Sequence, residues 1–472
     1  MFLKRFYDDG LAQASWMIGC QATGDAIVID ANRDLRQYLD AAASEKLRIT
    51  MVTETHIHAD FVSGSRELAR TAGATLLLSA EGGPDWQYGF AAEDGARLLH
   101  DGDVLSVGNI RIEVLHTPGH TPEHLSFLVT DTAAATEPIG IASGDFVFVG
   151  DVGRPDLLER AAKVANTMEA GAHQLFQSLE RFRALPDFVQ VWPGHGAGSA
   201  CGKALGAIPT STVGYEKRFN WGVGTTDETE FVRLVLEGQP EPPRYFAEMK
   251  RINRDGPALL GGFPTPEVGD LATLDRAVAA GVAVIDTRPA NLFAQGHVPG
   301  TLNIPLSKTF STWAGWLVPY EVDIHLIADD APTVARAVRE LAMIGLDRVT
   351  TWYAPTVVAN YHGAGRALHT VAKIEPAALV PRLRAGAVTV VDVRNRSEWD
   401  AGHLPGAVHI PIGYLAERCG EIPRDRPIVV QCQSGARSAI ATSVLQRLGI
   451  TGVEDLRGGF QAWAAAGGEV VR

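Results

Sequence analysis

Apolar residues in the first half of the chain fall in short runs rich in β-branched side chains, at 26–29, 49–52, 75–78, 110–115, 125–129 and 189–192. Runs this short, bounded by Gly, Asp and Thr, predict strands. Apolar positions at helical spacing between them predict helices over 35–45, 64–71 and 157–179. A two-sheet sandwich flanked by helices accommodates the mixture, although periodicity alone does not fix it.

The second half repeats itself. Val284-Ile285-Asp286-Thr287-Arg288, Phe293, Gly296-His297-Val298-Pro299-Gly300 and Ile304-Pro305 recur as Val390-Val391-Asp392-Val393-Arg394, Trp399, Gly402-His403-Leu404-Pro405-Gly406 and Ile410-Pro411, always 106 positions later. So many spaced agreements imply two homologous domains. In the second copy 389–393 and 428–431 read as strands, and 397–401 and 436–448 as helices. Alternation of this kind predicts a mainly parallel sheet covered on both faces. The Pro-rich, charged stretch 236–244 reads as the start of a linker. The expected division is a first domain over 1–235, a linker over 236–263, and repeats over 264–370 and 371–472.

Composition narrows the function classes. A chain of 472 residues exceeds one ordinary core, and 46% hydrophobic with 21% charged residues is the balance of a soluble globular protein. A net charge of −13 argues against a phosphate-backbone partner. Cys20, Cys201, Cys419 and Cys432 are too sparse for a disulfide framework and read as free thiols in a reducing cytosol. No secretory leader and no membrane-length apolar run is visible, so a cytoplasmic location away from membranes is expected. Oligomeric state is open, a homo-oligomer included.

The chemistry is concentrated at the ends of the predicted strands. Thr55-His56-Ile57-His58-Ala59-Asp60 is followed by Thr117-Pro118-Gly119-His120, Ser143-Gly144-Asp145 and Pro193-Gly194-His195. Imidazoles and carboxylates delivered by separate loops are the donors of a metal site. Asp60 is followed by Phe61, at a position where two-metal proteins that this pattern resembles carry a further histidine. His116 and His124 read as ordinary turn or surface histidines.

With these motifs in family order, the first half resembles the metallo-β-lactamase fold. Gly144-Asp145-Phe146-Val147-Phe148, Gly153-Arg154-Pro155-Asp156 and His195-Gly196-Ala197-Gly198 are similar to the persulfide dioxygenase branch, with glyoxalase II, a two-metal thioester hydrolase, as near relative. The resemblance implies an αββα sandwich holding one Fe(II) per chain through His56, His120 and Asp145. His58, Asp60 and His195 would either contact the metal or orient its ligands. Arg154 would steer an anionic thiol carrier or pair with Asp156, and Cys201 would exchange sulfur or pack inertly.

In the second repeat, strand 428–431 runs into Cys432-Gln433-Ser434-Gly435-Ala436-Arg437 and then a helix. Backbone N–H groups of such a loop stabilise a thiolate or persulfide anion. Together with Asp392-x-Arg394 and Gly402-His403-x-Pro405-Gly406, the loop resembles a rhodanese, which implies Cys432 as sulfur carrier, Arg437 as a closing positive charge, and Gln433, Ser434, Gly435 and Ala436 as the cradle. The same alignment puts Ala328 at the cysteine position of the first repeat, followed by Asp329-Asp330, so that copy is expected to be catalytically silent.

The joint expectation is an α/β protein with an N-terminal αββα domain and two α/β rhodanese domains. It would oxidise the persulfide of a glutathione- or coenzyme A-type thiol to sulfite with O2 and pass sulfane sulfur through Cys432, forming or using thiosulfate. Three rivals are a thioester hydrolase, a phosphatase reading of the Cys432 loop, and a non-enzymatic sulfur-binding or sensing scaffold.

Overall fold

The computed structural model describes all residues except 158, 160–166, 204 and 240. The chain packs as two units, Met1–Gly262 with Ala342–Gly345, and Phe263–Leu341 with Leu346–Arg472.

Two sheets form the first unit, each of six strands among the described residues. One takes Phe2–Asp8, Gln13–Cys20, Asp25–Ile29, Arg48–Thr53, Thr75–Ser79 and Arg97–Leu99 in chain order. The other runs Ser211–Thr212, Gln190–Pro193, Gly140–Gly144, Leu125–Asp131, Ile110–His116, Val104–Val107. The two-residue side-chain period of a strand sorts the core. Trp16, Ile18, Ile27 and Ile29 meet Ile112, Val114, Phe127 and Trp192 between the sheets. Met17, Ala26 and Val28 pack outward on Tyr38, Ala41 and Leu68 of the helices Leu35–Ser44 and Ser65–Ala72. Behind the second sheet, Ile141 and Val191 pack on Ala172, Leu175 and Leu179 of Met168–Arg183. Helix, sheet, sheet and helix are the four layers of an αββα sandwich.

All six strands expected in this half form, as do the helices Leu35–Ser44 and Ser65–Ala72. The helix expected over 157–179 is seen as Met168–Arg183, its earlier part lying largely outside the described residues. Strands Gln13–Cys20 and Gly140–Gly144 were not anticipated; both are buried at every position, so neither shows a polar face to alternate against. The stretch 236–263 is corrected from linker to structure. It carries the helix Tyr245–Asp255, whose Tyr245, Phe246, Met249 and Asn253 are buried, so the first unit extends to Gly262.

The second unit holds two parallel five-stranded sheets of identical order. In the first repeat it is Glu267–Val268, Val349–Tyr353, Ile324–Ile327, Ala283–Asp286, Leu302–Asn303, and in the second Ala372–Ile374, Val453–Leu456, Ile428–Gln431, Thr389–Asp392, Val408–His409. The Asp-x-Arg motif is a buried pair in both: Arg288 and Arg394 donate to Asp286 and Asp392, and then to the carbonyls of Gly296 and Gly402. The guanidinium thus ties the end of the central strand to the turn after the next helix, which explains the matched spacing. Among the described residues no helix is long and apolar enough to cross a membrane.

Phe127 is fully buried between the sheets. Its replacement by Ala is expected to destabilise the first unit by about 3–5 kcal/mol, read from the denaturant midpoint of the full chain; a loss below about 1 kcal/mol would contradict this packing.

Candidate metal centre and cysteine loop

Three strand ends of the first unit deliver the donors. Arg48–Thr53 leads into His56 and His58, Ile110–His116 into His120, and Gly140–Gly144 into Asp145. The register slips between Ala142 and Gly144 where the latter strand pairs with Gln190–Pro193, so the chain turns at Gly144 and presents Asp145. Gly144 has φ +50°, and a Cβ there would lie 2.5 Å from Thr55 Oγ1 and 2.8 Å from His124 Nε2. Glycine is therefore required by both conformation and space.

His56, His120 and Asp145 are buried with one donor atom each inside a mutual 4.8 Å, and Asp60, His195 and Cys201 form a second such group. The hydrogen bonds fix how the rings face. Thr55 Oγ1 lies 3.1 and 3.0 Å from the two oxygens of Asp30 and donates its proton there, so it accepts from His56 Nδ1 at 2.9 Å. His120 Nδ1 donates to the Arg154 carbonyl at 3.2 Å, and His195 Nδ1 to the Ala12 carbonyl at 3.0 Å. All three rings therefore turn Nε2 toward Asp145, at 4.0 Å from His56, 3.5 Å from His120 and 3.4 Å from His195. The acceptor nitrogens of His56 and His120 converge on a buried carboxylate neither of whose oxygens has a hydrogen-bond partner, whereas the charges of Asp145 and Asp60 raise His195 above its ordinary value against burial. Such a set is costly unless a cation sits within it, and two imidazoles with one carboxylate fit a divalent metal.

Burial shapes the electrostatics. It pushes the Asp145 carboxyl up to about 6, holds His120 down to about 3 and drives His56 well below its ordinary value, aided by the neighbouring imidazoles. His58 differs. Its Nε2 donates to Asp30 Oδ1 at 3.0 Å, and against burial the Asp30 charge lifts it to about 9. It turns this nitrogen away from the His56–His120–Asp145 group and braces Asp30, whose carboxylate also takes the Thr55 N–H at 2.7 Å. Asp60 lies 3.3 Å from His195 Nε2, both its oxygens without hydrogen-bond partners. The Phe61 ring is fully buried, 4.4 Å from the His58 ring.

One expectation is corrected and two open ones are narrowed. His124 is not a surface histidine: it is fully buried, its Nε2 accepts the Asp145 backbone N–H at 3.1 Å, and its Nδ1 donates to Thr117 Oγ1 at 2.9 Å. Of the two roles expected of Arg154, the pairing with Asp156 is the one seen: its guanidinium is buried, doubly bonded to Asp156 at 2.8 Å and donates to the Ala200 carbonyl. Cys201 is buried beside Asp60 and His195, where burial and the charges of Asp60 and Asp145 push its thiol well up, so it rests protonated. Asp30, Thr55 and Asn253 were missed. The Asn253 amide donates to the carbonyls of His58 at 2.8 Å and Phe61 at 2.7 Å.

In the second unit Cys432 follows strand Ile428–Gln431 and is buried. The Gly435 N–H donates to its sulfur at 3.1 Å, and Gly435, at φ +106°, caps the helix Ala436–Arg447. Gln433 accepts from Arg394 at 3.2 Å, which joins the loop to the Asp392–Arg394 pair. Gly459 passes so close that a Cβ would lie 2.2 Å from the Cys432 carbonyl, and the next N–H, that of Phe460, donates to that carbonyl at 2.7 Å. Arg437 closes the loop by a different route from the one expected: it is doubly bonded to Glu398 at 2.6 and 2.7 Å, so its charge is already partnered. Against burial, the Arg437 guanidinium holds the Glu398 carboxyl below its ordinary range. In the first repeat Ala328 follows the matching strand Ile324–Ile327, with no sulfur to carry.

Known proteins match both halves. Residues 8–195 match the metallo-beta-lactamase superfamily and residues 375–466 the rhodanese-like domain. A metallo-beta-lactamase from Staphylococcus aureus subsp. aureus COL is 45% identical with a TM-score of 0.70, over 75% of this chain and 99% of that one. The chain belongs to the metallo-beta-lactamase superfamily. Within it, a hydroxyacylglutathione hydrolase from Rhodospirillum rubrum is 28% identical over 38% of this chain and 60% of its own length. A sulfurtransferase from Allochromatium vinosum is 42% identical over 18% of this chain and 78% of its own length. The superfamily member in hand thus joins a metallo-beta-lactamase domain to a C-terminal rhodanese domain.

Asp30 orients Thr55, and Thr55 orients His56. Asp30→Asn is therefore expected to weaken divalent-metal binding at this cluster about 10–100-fold, measured by competition with a chromophoric chelator. Unchanged affinity would separate Asp30 from the cluster.

Proposed function

We propose that the chain is a persulfide dioxygenase with sulfurtransferase activity. His56, His120 and Asp145 would hold one Fe(II), and Cys432 would carry sulfane sulfur. The observation that carries this reading is the convergence of imidazole lone pairs on the unpartnered Asp145 carboxylate, in one chain with a rhodanese-type cysteine loop. Two histidines and one carboxylate leave positions for O2 and a substrate sulfur, and bound iron would supply the redox chemistry that joins them. The net reaction is R–S–SH + O2 + H2O → R–SH + sulfite + 2 H⁺, with R a glutathione- or coenzyme A-type carrier.

The protein's own groups do the positioning. Thr55, the Arg154 carbonyl and the Ala12 carbonyl fix the rings of His56, His120 and His195. His124 holds the Asp145 backbone in place. His195 and Asp60 face the same space and offer polar contacts to a bound persulfide. Phe61 replaces a ligand with a dry wall, which favours a single metal. In the second unit Cys432 would exchange sulfur with sulfite or thiosulfate, and the silent first repeat would act as a spacer or docking platform. Free thiols fit a reducing cytoplasm, and the acidic chain fits small-molecule partners, with neither nucleic acid nor membrane.

Thioester hydrolysis is the second reading, supported by the hydroxyacylglutathione hydrolase relative. It needs a metal pair, against which Phe61 stands.

Anaerobic Fe(II) loading followed by oxygen uptake with glutathione and coenzyme A persulfides is expected to give sulfite matched to the O2 used. Bound iron without uptake on either substrate would overturn the dioxygenase reading. Cys432→Ser should abolish sulfur transfer between thiosulfate and a thiol while leaving oxygen uptake intact; full transfer by this variant would remove the cysteine's role. Phe61→His should raise zinc binding from one toward two per chain by elemental analysis, and thioester turnover by the unaltered chain would favour the hydrolase instead.

A further inference from the structure

Behind the Cys432 sulfur lies a buried chain of groups that the cradle does not require. Ser438 Oγ is 3.6 Å from Cys432 Sγ, positioned to accept the thiol proton, and 2.6 Å from Asp455 Oδ1. It is also 3.2 Å from the Gly435 carbonyl. Ser438 and Asp455 are both buried. One hydroxyl proton has three acceptors to choose among, and an ionised carboxylate at 2.6 Å is the strongest. With its proton given to Asp455, Ser438 shows the sulfur only lone pairs. That arrangement suits a thiol and opposes a thiolate, while the Gly435 N–H on another side of the sulfur favours the thiolate.

We propose that Asp455 is a positioning residue which, through Ser438, keeps the unloaded Cys432 in its thiol form. The proposal rests on Cys432 being the sulfur carrier. In the loading step Cys432 first releases its thiol proton to water, which returns it to the departing RS⁻, and the thiolate attacks the outer sulfur of R–S–SH. The Sγ–S bond forms, the R–S–SH sulfur–sulfur bond breaks, and RS⁻ leaves with the electron pair. In discharge, sulfite attacks the outer sulfur to form thiosulfate, and Cys432 leaves as thiolate. That thiolate then takes a proton from water and donates to Ser438, so the emptied carrier returns to the form that resists oxidation. A loaded persulfide escapes the device, because its charge sits on the outer sulfur rather than on Sγ.

The charged surroundings are few. Lys373 Nζ, on strand Ala372–Ile374, is 3.8 Å from Asp455 Oδ2. Arg437, the cation next to the cysteine loop, is paired with Glu398, and Arg394 with Asp392. Burial lifts the Asp455 carboxyl to about 6, with Ser438 and Lys373 opposing. Below that pH the chain of donors reverses: Asp455 donates to Ser438, and Ser438 is released to donate to the sulfur.

The test is the rate at which iodoacetamide alkylates Cys432 in the full chain, followed on the Cys432 peptide by mass spectrometry from pH 5 to 9. This readout requires no turnover, so it separates failure of the device from failure of the sulfurtransferase reading. At pH 7.5 Asp455→Asn is expected to react about fivefold to tenfold faster, as one hydrogen bond to the sulfur is gained. The gain should disappear in a Ser438→Ala background, Ser438→Thr should keep the parent rate, and parent and Asp455→Asn should converge below about pH 6. An Asp455→Asn chain that is no faster, or a gain that survives without Ser438, overturns the proposal. Should Asp455→Asn fail to fold, Ser438→Ala alone decides. The parent profile is expected to be broader than a single ionisation and the variant's to follow one, and equally broad profiles overturn it.

Discussion

The first unit depends on how one nitrogen of each buried imidazole is spent. A neutral ring has a single N–H, and in His56 and His120 it is taken by Thr55 and the Arg154 carbonyl. The remaining nitrogen of each must face inward as an acceptor, and Asp145 is placed where the two directions meet, with His195 Nε2 on its other oxygen. Burying such a set is unfavourable for the apo chain and favourable once a cation is bound, so folding and metal affinity draw on the same groups. The αββα frame brings the ends of several strands to one edge of the sandwich, where turns separated by about 90 positions in the sequence become neighbours.

The second unit solves the opposite problem. There the chain surrounds a sulfur rather than a cation site, and it does so with backbone N–H, a helix start and a glycine-tight approach by the segment around Gly459. The neighbouring arginine is neutralised by Glu398. The same frame without cysteine, in the first repeat, keeps its Asp286–Arg288 pair and its sheet order. The scaffold of the loop is thus independent of the chemistry it carries in the second repeat.

Much of this was legible in the sequence because the candidate donors sit just past strand ends, where composition changes abruptly. His56, His120 and Asp145 follow such ends, and the repeat exposed the two sheets of matching order without reference to any fold. What stayed hidden has no local signature. Asp30 and Thr55 act through hydrogen bonds to each other across 25 positions, and Asn253 reaches back 195 positions to His58. His124 was misjudged because its turn sequence resembles that of an exposed loop, although strand pairing buries it against Asp145. Strand Gln13–Cys20 was missed because a strand buried on both faces loses the alternation that marks strands. Pro and charge near 236–244 imitated a linker because those residues precede a helix whose apolar face is short.

That helix has a practical consequence. The family match to the first domain stops at residue 195, and the Pro-rich stretch invites a cut near 235. Either boundary would discard the amide that satisfies the carbonyls on both sides of the Ala59–Asp60 turn. A fragment prepared for crystallisation or assay that lacks Asn253 would retain His56, His120 and Asp145 and still present them from a loosened loop. Weak metal retention in such a fragment would then report the choice of boundary rather than the nature of the site.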